Sequence, residues 1–225
     1  MLPLLGEVLP KAVGVAISPV VVVLVILLLV SASGRTTGPG FLVGWMVGVA
    51  ALTTVALALA TGVDVDSDSS AQDGFHLFQF TLGLVFVFLG VKTWRGRPRP
   101  GVPSEDPKLF KAVDSMSVVK AAGLGFAFAT FAAPKNLALE LGAGGTIARG
   151  GASIATEMVV VLIFTLIASI PVIAPLVAVA VLGERADSSL DATKSWLMAH
   201  NTVIMLVVFT FLSAHFLGIG LGGFA

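Results

Sequence analysis

Two ionisable side chains, Lys135 and Glu140, lie within an apolar stretch of residues 118–147 that is long enough to cross a membrane. A charge at the centre of a bilayer costs about 3 kcal/mol even on a lenient insertion scale, so such residues usually act on cargo, carry protons or pair with another charge. The offset between them is about 140° around an ideal helix, a poor angle for a direct ion pair. Lys135 is therefore predicted to be a functional residue or half of a buried ion pair, with Glu140 or Glu157 as its counter-charge.

A proline stands directly before Lys135, and the first apolar stretch contains a similar Ser18-Pro19 step. Proline lacks a backbone N–H and its ring clashes with the preceding turn, so each proline is expected to open or kink its helix. The freed carbonyl groups would form a polar site at mid-membrane, as in transporters with broken helices. We predict a substrate or transport site at the two breaks, made of Ser18, Pro19, Pro134, Lys135, Asn136 and Glu140.

Three further ionisable residues are candidates for coupling transport to an ion gradient: Asp114, Glu157 and His215. Each has a side chain that can exchange a proton within or beside the membrane. The other histidines, His76 and His200, are predicted at helix ends. No histidine has the paired spacing that a metal site needs, so no metal is expected.

The acidic segment after residue 62 begins like a calcium-binding loop, with Asp64, Asp66 and Asp68 at alternate positions. Ser69 and Phe75 stand where such a loop needs glycine and a bidentate glutamate, which argues against calcium. The chain also has no phosphate-binding loop, no Ser/His/Asp motif on a plausible turn, and no cysteine. We therefore expect neither an enzyme nor a cofactor, and expect transport to draw on an ion gradient, a partner or the gradient of the substrate itself.

The composition predicts the elements that must position these residues. Hydrophobic residues make up 56% of the chain and charged residues 12%, with a mean hydropathy of +1.02, which is too apolar for a soluble domain of this length. Segments of roughly 20 apolar residues are typical of membrane helices. The predicted fold is an all-α integral membrane protein with six transmembrane helices, at residues 8–30, 41–59, 75–91, 118–147, 154–182 and 199–221.

Charge placement predicts the orientation of these helices, because basic loops stay in the cytoplasm. The loop between the third and fourth helices is rich in lysine and arginine, whereas the loop between the second and third is acidic. Both termini are therefore expected outside. Aligning Pro19 with Pro134 predicts a 3+3 inverted repeat with broken first and fourth helices. The corresponding units are residues 1–93, a basic cytoplasmic linker at 94–114, and residues 115–225.

Glycine and proline patterns predict two features of individual helices. Gly40, Gly44 and Gly48 recur every fourth residue on one face of the second helix, where another helix can approach closely. Packing inside the bundle is favoured over a dimer face. Pro171 and Pro175 are expected to bend or split the fifth helix.

The order of several motifs along nearly the whole chain resembles one family, the GAP family of sulfolipid- and peptidoglycolipid-addressing proteins within the lysine-exporter superfamily. The resemblance implies a six-helix membrane protein that helps to move glycolipids toward the surface of bacteria with lipid-rich envelopes. It marks Pro19, Asp114, Pro134, Lys135 and Asn136 as family hallmarks without implying a role for each. The motifs are Ile17-Ser18-Pro19, Phe41-Leu42-Val43-Gly44-Trp45, Asp114-Ser115-Met116-Ser117, Lys120-Ala121-Ala122-Gly123-Leu124-Gly125, Ala133-Pro134-Lys135-Asn136-Leu137, Val181-Leu182-Gly183-Glu184-Arg185, Trp196-Leu197 and His200-Asn201.

Three functions are compatible with the sequence. The first is a transporter or transport accessory of the bacterial inner membrane that moves a lipid or glycolipid, with Lys135 binding an anionic headgroup or a hydroxyl group. The second is a proton-coupled exporter of an amino acid or cation, in which Lys135 is a gate. The third is a scaffold for lipid synthesis or export, with a lipid synthase or a large exporter as partner. A homodimer is compatible with each, and nucleic acid is not an expected partner.

Overall fold

The computed structural model describes residues 1–31, 33–62, 69–97 and 116–222, without the side chains of residues 69–75 and 184. Asp114 and the acidic triplet Asp64, Asp66 and Asp68 lie outside the described residues. The described chain is helical and contains no strand. Its eight α-helices are α1 (Leu2–Ala16), α2 (Pro19–Val30), α3 (Gly34–Gly62), α4 (Ser69–Arg95), α5 (Val118–Thr130), α6 (Pro134–Arg149), α7 (Ile154–Leu182) and α8 (Ala186–Gly222), with a short 3₁₀ turn at Gly183–Arg185 before α8.

Both predicted proline breaks separate two helices. The axis bends by 54° between α1 and α2, and Pro19 is the first residue of α2. Pro134 is likewise the first residue of α6, and three residues separate it from Thr130 at the end of α5. Proline is well suited to this position because its fixed φ fits the first helical turn and its missing N–H has no partner there in any helix. The predicted segment 118–147 is therefore two helices of 13 and 16 residues.

The number of candidate membrane spans is lower than the sequence predicts. Among the described residues, four helices are long and apolar enough to cross a membrane: α3, the part of α4 from His76, α7 and α8. The bent pair α1 and α2 makes a fifth. The pair α5 and α6 is not among these candidates, and α6 carries three charged residues, Lys135, Glu140 and Arg149.

Two helices differ from their predicted course. The last one begins at Ala186 rather than near residue 199, so His200 lies inside a helix and not at its end. The first turns of this helix are polar, so hydrophobicity alone does not reveal them. Their residues Ala186 and Leu190 are nevertheless buried against Ile26 of α2. The expected split of α7 is also absent, because the helix runs without interruption through Pro171 and Pro175.

The helices pair in a regular way. The long helix α3 packs on both α5 and α6, while α7 packs on both α1 and α2, and α4 lies along α8. The half-helices α1 and α6 also contact each other. Each broken pair is thus braced by an unbroken helix, and α2 of the first pair also packs on α8. The core between the helices contains Phe41, Trp45, Leu139, Phe164 and Leu212.

The glycine stripe of α3 faces α5. A Cβ added to Gly40 would lie 2.9 Å from the Val118 carbonyl oxygen, and one on Gly48 would lie 2.7 Å from the Ala129 Cβ. A Cβ on Gly44 would overlap the Ala122 carbonyl group. These glycines let the two helix backbones come together inside one chain, as small residues do at membrane helix interfaces.

Serine caps begin two of the helices, and one of them gives a direct test. The Ser153 side chain accepts a hydrogen bond from the Thr156 N–H at 3.4 Å at the start of α7. Removing a cap leaves an N–H of the first turn without a partner. Ser153→Ala is expected to lower the free energy of unfolding by about 1 kcal/mol. Thermal unfolding in detergent measures this, and Ser195→Ala, at an exposed position within α8, is the control. Equal stability of the two variants would contradict the cap.

Candidate functional site

The end of α1 has more backbone carbonyl groups than its own backbone can satisfy. The N–H of Ile17 binds the Val13 carbonyl at 2.9 Å, and the N–H of Ser18 turns back to the Ala16 carbonyl at 2.8 Å. The Val15 carbonyl would normally accept from residue 19, but residue 19 is proline and has no N–H. The carbonyls of Gly14 and Val15 are therefore left without a donor from α1.

Lys135 supplies the missing donors from the other broken pair. Its ammonium group donates to the Gly14 carbonyl, to the Val15 carbonyl at 3.4 Å and to the Ile17 carbonyl at 3.2 Å. The side chain is 4% exposed. An ammonium group has three protons, so all three have acceptors. The positive charge also lies at the helix C-terminus, where the helix dipole favours a cation.

Asn136 acts in the same way at the second break. The N–H groups of Phe131 and Ala132 both turn to the Ala127 carbonyl, at 3.0 and 2.7 Å. The Phe128 carbonyl therefore loses its regular donor, and the Asn136 amide donates to it at 3.3 Å. Adjacent residues at the start of α6 thus satisfy carbonyls of both breaks.

Of the two counter-charges proposed for Lys135 from the sequence, Glu140 interacts with it electrostatically, but neither glutamate is in direct contact with its ammonium group. No ion pair joins Lys135 to Glu140 or Glu157 among the described residues, and backbone carbonyl groups take the place of a carboxylate. Glu140 is fully buried on α6, and neither of its carboxyl oxygens has a hydrogen-bond partner in the described part of the chain. Glu157 is mostly buried in the first turn of α7.

The remaining predicted site residues differ in their surroundings. Pro19 is buried at the break, whereas Ser18 is half-buried and its hydroxyl forms no capping bond. His215 lies on α8 between the rings of Phe211, at 6.3 Å, and Phe216, at 5.4 Å. Its Nε2 is buried without a partner among the residues described.

Lys11 is a second buried lysine, and it is not among the site residues predicted from the sequence. The side chain is 1% exposed, and its ammonium group donates to the Glu7 carbonyl at 2.8 Å. It also lies 5.7 Å from the centre of the Phe216 ring, a distance at which a cation is attracted to the aromatic face. Like Lys135, Lys11 is a charged residue inside a predicted apolar stretch, and that feature of the sequence could have identified it. Lys11 is one helical turn before the Gly14 and Val15 carbonyls that Lys135 binds.

Three grooves lie outside this buried site. A polar groove of about 380 Å³ contains Glu7 and Arg149 and lies between the start of α1 and the end of α6. An apolar groove of about 300 Å³ runs between α4 and α8, past Phe86, Phe209 and Trp94. The third, of about 490 Å³, is an almost wholly apolar depression along α7.

The apolar helices and the two broken pairs joined by a buried lysine define a multi-pass helical membrane protein. Residues 8–222 match the model of one protein family, which is described as "SfLAP: Sap, sulfolipid-1-addressing protein". The chain belongs to this family. Searches of curated proteins and of solved structures gave no match.

Proposed function

We propose that this protein moves a sulfolipid or a related glycolipid toward the cell surface, as a transporter or as an accessory of one. The family match over residues 8–222 is the observation that carries the proposal, because it spans nearly the whole chain. The apolar bundle is consistent with a substrate that stays partly in the membrane. The proposed location is the inner membrane of a bacterium.

The arrangement in the membrane is part of the proposal. We take α5 and α6 together as a sixth span, which gives two halves of three spans in opposite orientations with both termini outside. Two observations support an inverted repeat: each broken pair resumes at a proline, and α3 and α7 brace the two broken pairs in corresponding ways. Such repeats and broken helices are typical of secondary transporters. Membership of the lysine-exporter superfamily belongs to the same proposal.

The groove between α4 and α8 is the proposed path for an acyl chain. Its wall is largely apolar, and Trp94 stands at one end. The Arg97 guanidinium group lies 4.1 Å from the centre of the Trp94 ring, so a positive charge is held beside this end of the groove. An anionic lipid fits this combination, with its tail between α4 and α8 and its headgroup beside Arg97. By the positive-inside rule this end faces the cytoplasm.

The buried site is the proposed gate. Lys135 holds the end of α1 against α6 in the structure, and a ligand headgroup reaches its ammonium only by displacing α1 carbonyl groups. The polar groove with Glu7 and Arg149 lies at the far end of α6 and is the proposed exit for a headgroup. Opening the first break would then connect the buried site to this groove along α1.

A second candidate function is the proton-coupled export of an amino acid or cation. The observation that favours it is the fully buried Glu140, whose carboxyl oxygens have no partner among the described residues. A lipid synthase, a large exporter or a second copy of the chain are the proposed protein partners for an accessory role.

Deletion of the gene tests the lipid proposal. The expected result is loss of one glycolipid class from surface extracts and its build-up inside the cell, because synthesis continues while delivery stops. Lipid analysis of surface and whole-cell extracts measures both, and a plasmid copy of the wild-type gene is the control that restores the surface lipid. Unchanged surface lipids in the deletion strain would contradict the proposal. Saturable movement of a water-soluble solute in proteoliposomes would favour the second candidate.

A further inference from the structure

Three oxygen atoms on one face of α6 are buried and have no donor. Asn136 and Glu140 are one helical turn apart, so they project from the same side of the helix. Both side chains are 0% exposed. Within residues 1–31, 33–62, 69–97 and 116–222, no hydrogen-bond partner reaches the Asn136 Oδ1 or either carboxyl oxygen of Glu140. Buried polar atoms without partners are rare in proteins and call for an explanation.

Helix α3 closes over this face. Gly144 continues the same line of α6 one turn further, and a Cβ there would lie 2.7 Å from the Thr53 carbonyl oxygen and 2.5 Å from the Ala56 Cβ. Helix α3 runs in the same direction as α5 and α6, because Gly40 meets Val118, Gly48 meets Ala129 and Ala56 meets Gly144. One turn before Ala56, the register places Thr53 level with Glu140. The Thr53 hydroxyl is also fully buried and unpartnered among the described residues.

No positive group of the described chain donates a hydrogen bond to these oxygen atoms, although Lys135 interacts electrostatically with Glu140. The three protons of the Lys135 ammonium are taken by α1 carbonyls, and Lys11 donates to the Glu7 carbonyl. The His215 ring contacts Phe216, whose ring lies 3.6 Å from a Cβ placed on Gly142 of α6. The other titratable groups that the structure describes on helices packed against α6 are Glu7 on α1, Arg35 on α3, His76, Lys92 and Arg95 on α4, Lys120 on α5, and Glu157 on α7. None of them forms a hydrogen bond or an ion pair with Glu140.

We propose that Glu140, Asn136 and Thr53 form a binding site for a monovalent cation, which is a proton or Na⁺. The four oxygen atoms are a carboxylate pair, an amide carbonyl and a hydroxyl group, the hard ligands that such an ion prefers, and a donor or cation is the group that the site lacks. The site lies between α3 and α6 and does not include the carbonyl groups that Lys135 binds.

The site has a consequence for the broken helices, and this step rests on the proposed function. A bound cation neutralises Glu140 and leaves Lys135 on the carbonyls of α1. When the cation leaves, the carboxylate attracts the ammonium of Lys135 on the same helix and weakens its hold on α1. Cation release and opening of the first break are then linked, so that an ion gradient can drive the gate.

Infrared difference spectroscopy of the full chain in liposomes tests the site without any cargo. A titration with acid and with NaCl is expected to interconvert one carboxyl and one carboxylate band, and the response disappears in Glu140→Gln. Glu157→Gln, which changes the mostly buried glutamate of α7, is the matched control and is expected to keep it. If Na⁺ moves the conversion to lower pH, the ion is Na⁺. If the conversion responds to acid alone, the ion is a proton.

The Thr53→Val variant keeps the shape of the side chain and removes the hydroxyl group. It is expected to weaken the apparent affinity for the ion about tenfold. If Glu140→Gln does not fold, Thr53→Val serves as the test of whether the cation site exists. Absence of a Glu140-dependent band, or an unchanged response in Thr53→Val, would overturn the site. The liposomes contain no glycolipid cargo, so such a result would not contradict the lipid proposal. Conversely, unchanged surface lipids in the deletion strain would contradict the lipid proposal but not the cation site.

Discussion

Lys135→Met is expected to lower the free energy of unfolding by about 3 kcal/mol and to abolish delivery of the lipid. The change removes a buried positive charge and leaves the carbonyls of Gly14, Val15 and Ile17 without their donor. Hydrogen bonds that involve a charged group contribute roughly 1.5–3 kcal/mol each, and a buried carbonyl without a partner is costly. Unfolding in detergent with increasing dodecyl sulfate measures stability, and lipid analysis of surface extracts measures delivery by the variant in the deletion strain.

Lys120→Met is the matched control, because Lys120 is an exposed lysine on α5, next to the same broken pair. It is expected to keep both stability and lipid delivery. If Lys135→Met were as stable as Lys120→Met, the carbonyl contacts would not hold the break. A stable Lys135→Met variant that also restores surface lipid would remove Lys135 from the proposed gate.

Gly44→Ala is expected to destabilise the protein by about 3 kcal/mol, the upper end of what overpacking costs. The added methyl group would overlap the backbone carbonyl of Ala122 on α5. A backbone group cannot rotate away as a flexible side chain can, so α3 and α5 have to separate. Helix α3 also braces α6, and the variant is therefore expected to loosen the buried site. Thermal unfolding, followed by tryptophan fluorescence, measures the change because Trp45 lies on α3 in the same interface.

Gly123→Ala is the control for Gly44→Ala, because it makes the same substitution at a position with free space. Gly123 lies on α5 beside Ala122, but a Cβ there meets nothing within 4 Å. The substitution removes a residue of low helix propensity and is expected to leave stability unchanged or raise it by up to about 1 kcal/mol. Equal unfolding temperatures for Gly44→Ala and Gly123→Ala would mean that α3 and α5 do not pack as closely as in the structure.

Much of the framework could be predicted from the sequence, because membrane helices carry strong local signals. The apolar segments predict all of the main helices, and the limits of α7 coincide with those predicted. Pro19 and Pro134 mark both breaks, since the missing N–H acts on the adjacent turn whatever the surrounding structure. The resemblance to sulfolipid-addressing proteins is also confirmed by the match over residues 8–222, whereas membership of the lysine-exporter superfamily stays a prediction. The six-span count and the inverted repeat stay predictions.

The partners within the site could not be predicted in the same way. A sequence shows charged side chains but not which backbone carbonyls a break leaves free, so Glu140 and Glu157 were the obvious counter-charges for Lys135. The start of α8 was missed because its first turns are polar and bury only Ala186 and Leu190 against the rest of the protein. The sequence left a bend or a split of α7 open, and the split does not occur, because packing against α1, α2 and α3 can hold together a helix that its prolines weaken locally.

Lys135 and Asn136 are neighbours in the first turn of α6, and their side chains bind the ends of two different helices, α1 and α5. A rotation or shift of that single turn therefore withdraws both donors at once. The first turn of α6 therefore couples the two breaks whenever it moves as a unit, whereas a movement of the Lys135 side chain alone releases only the first break.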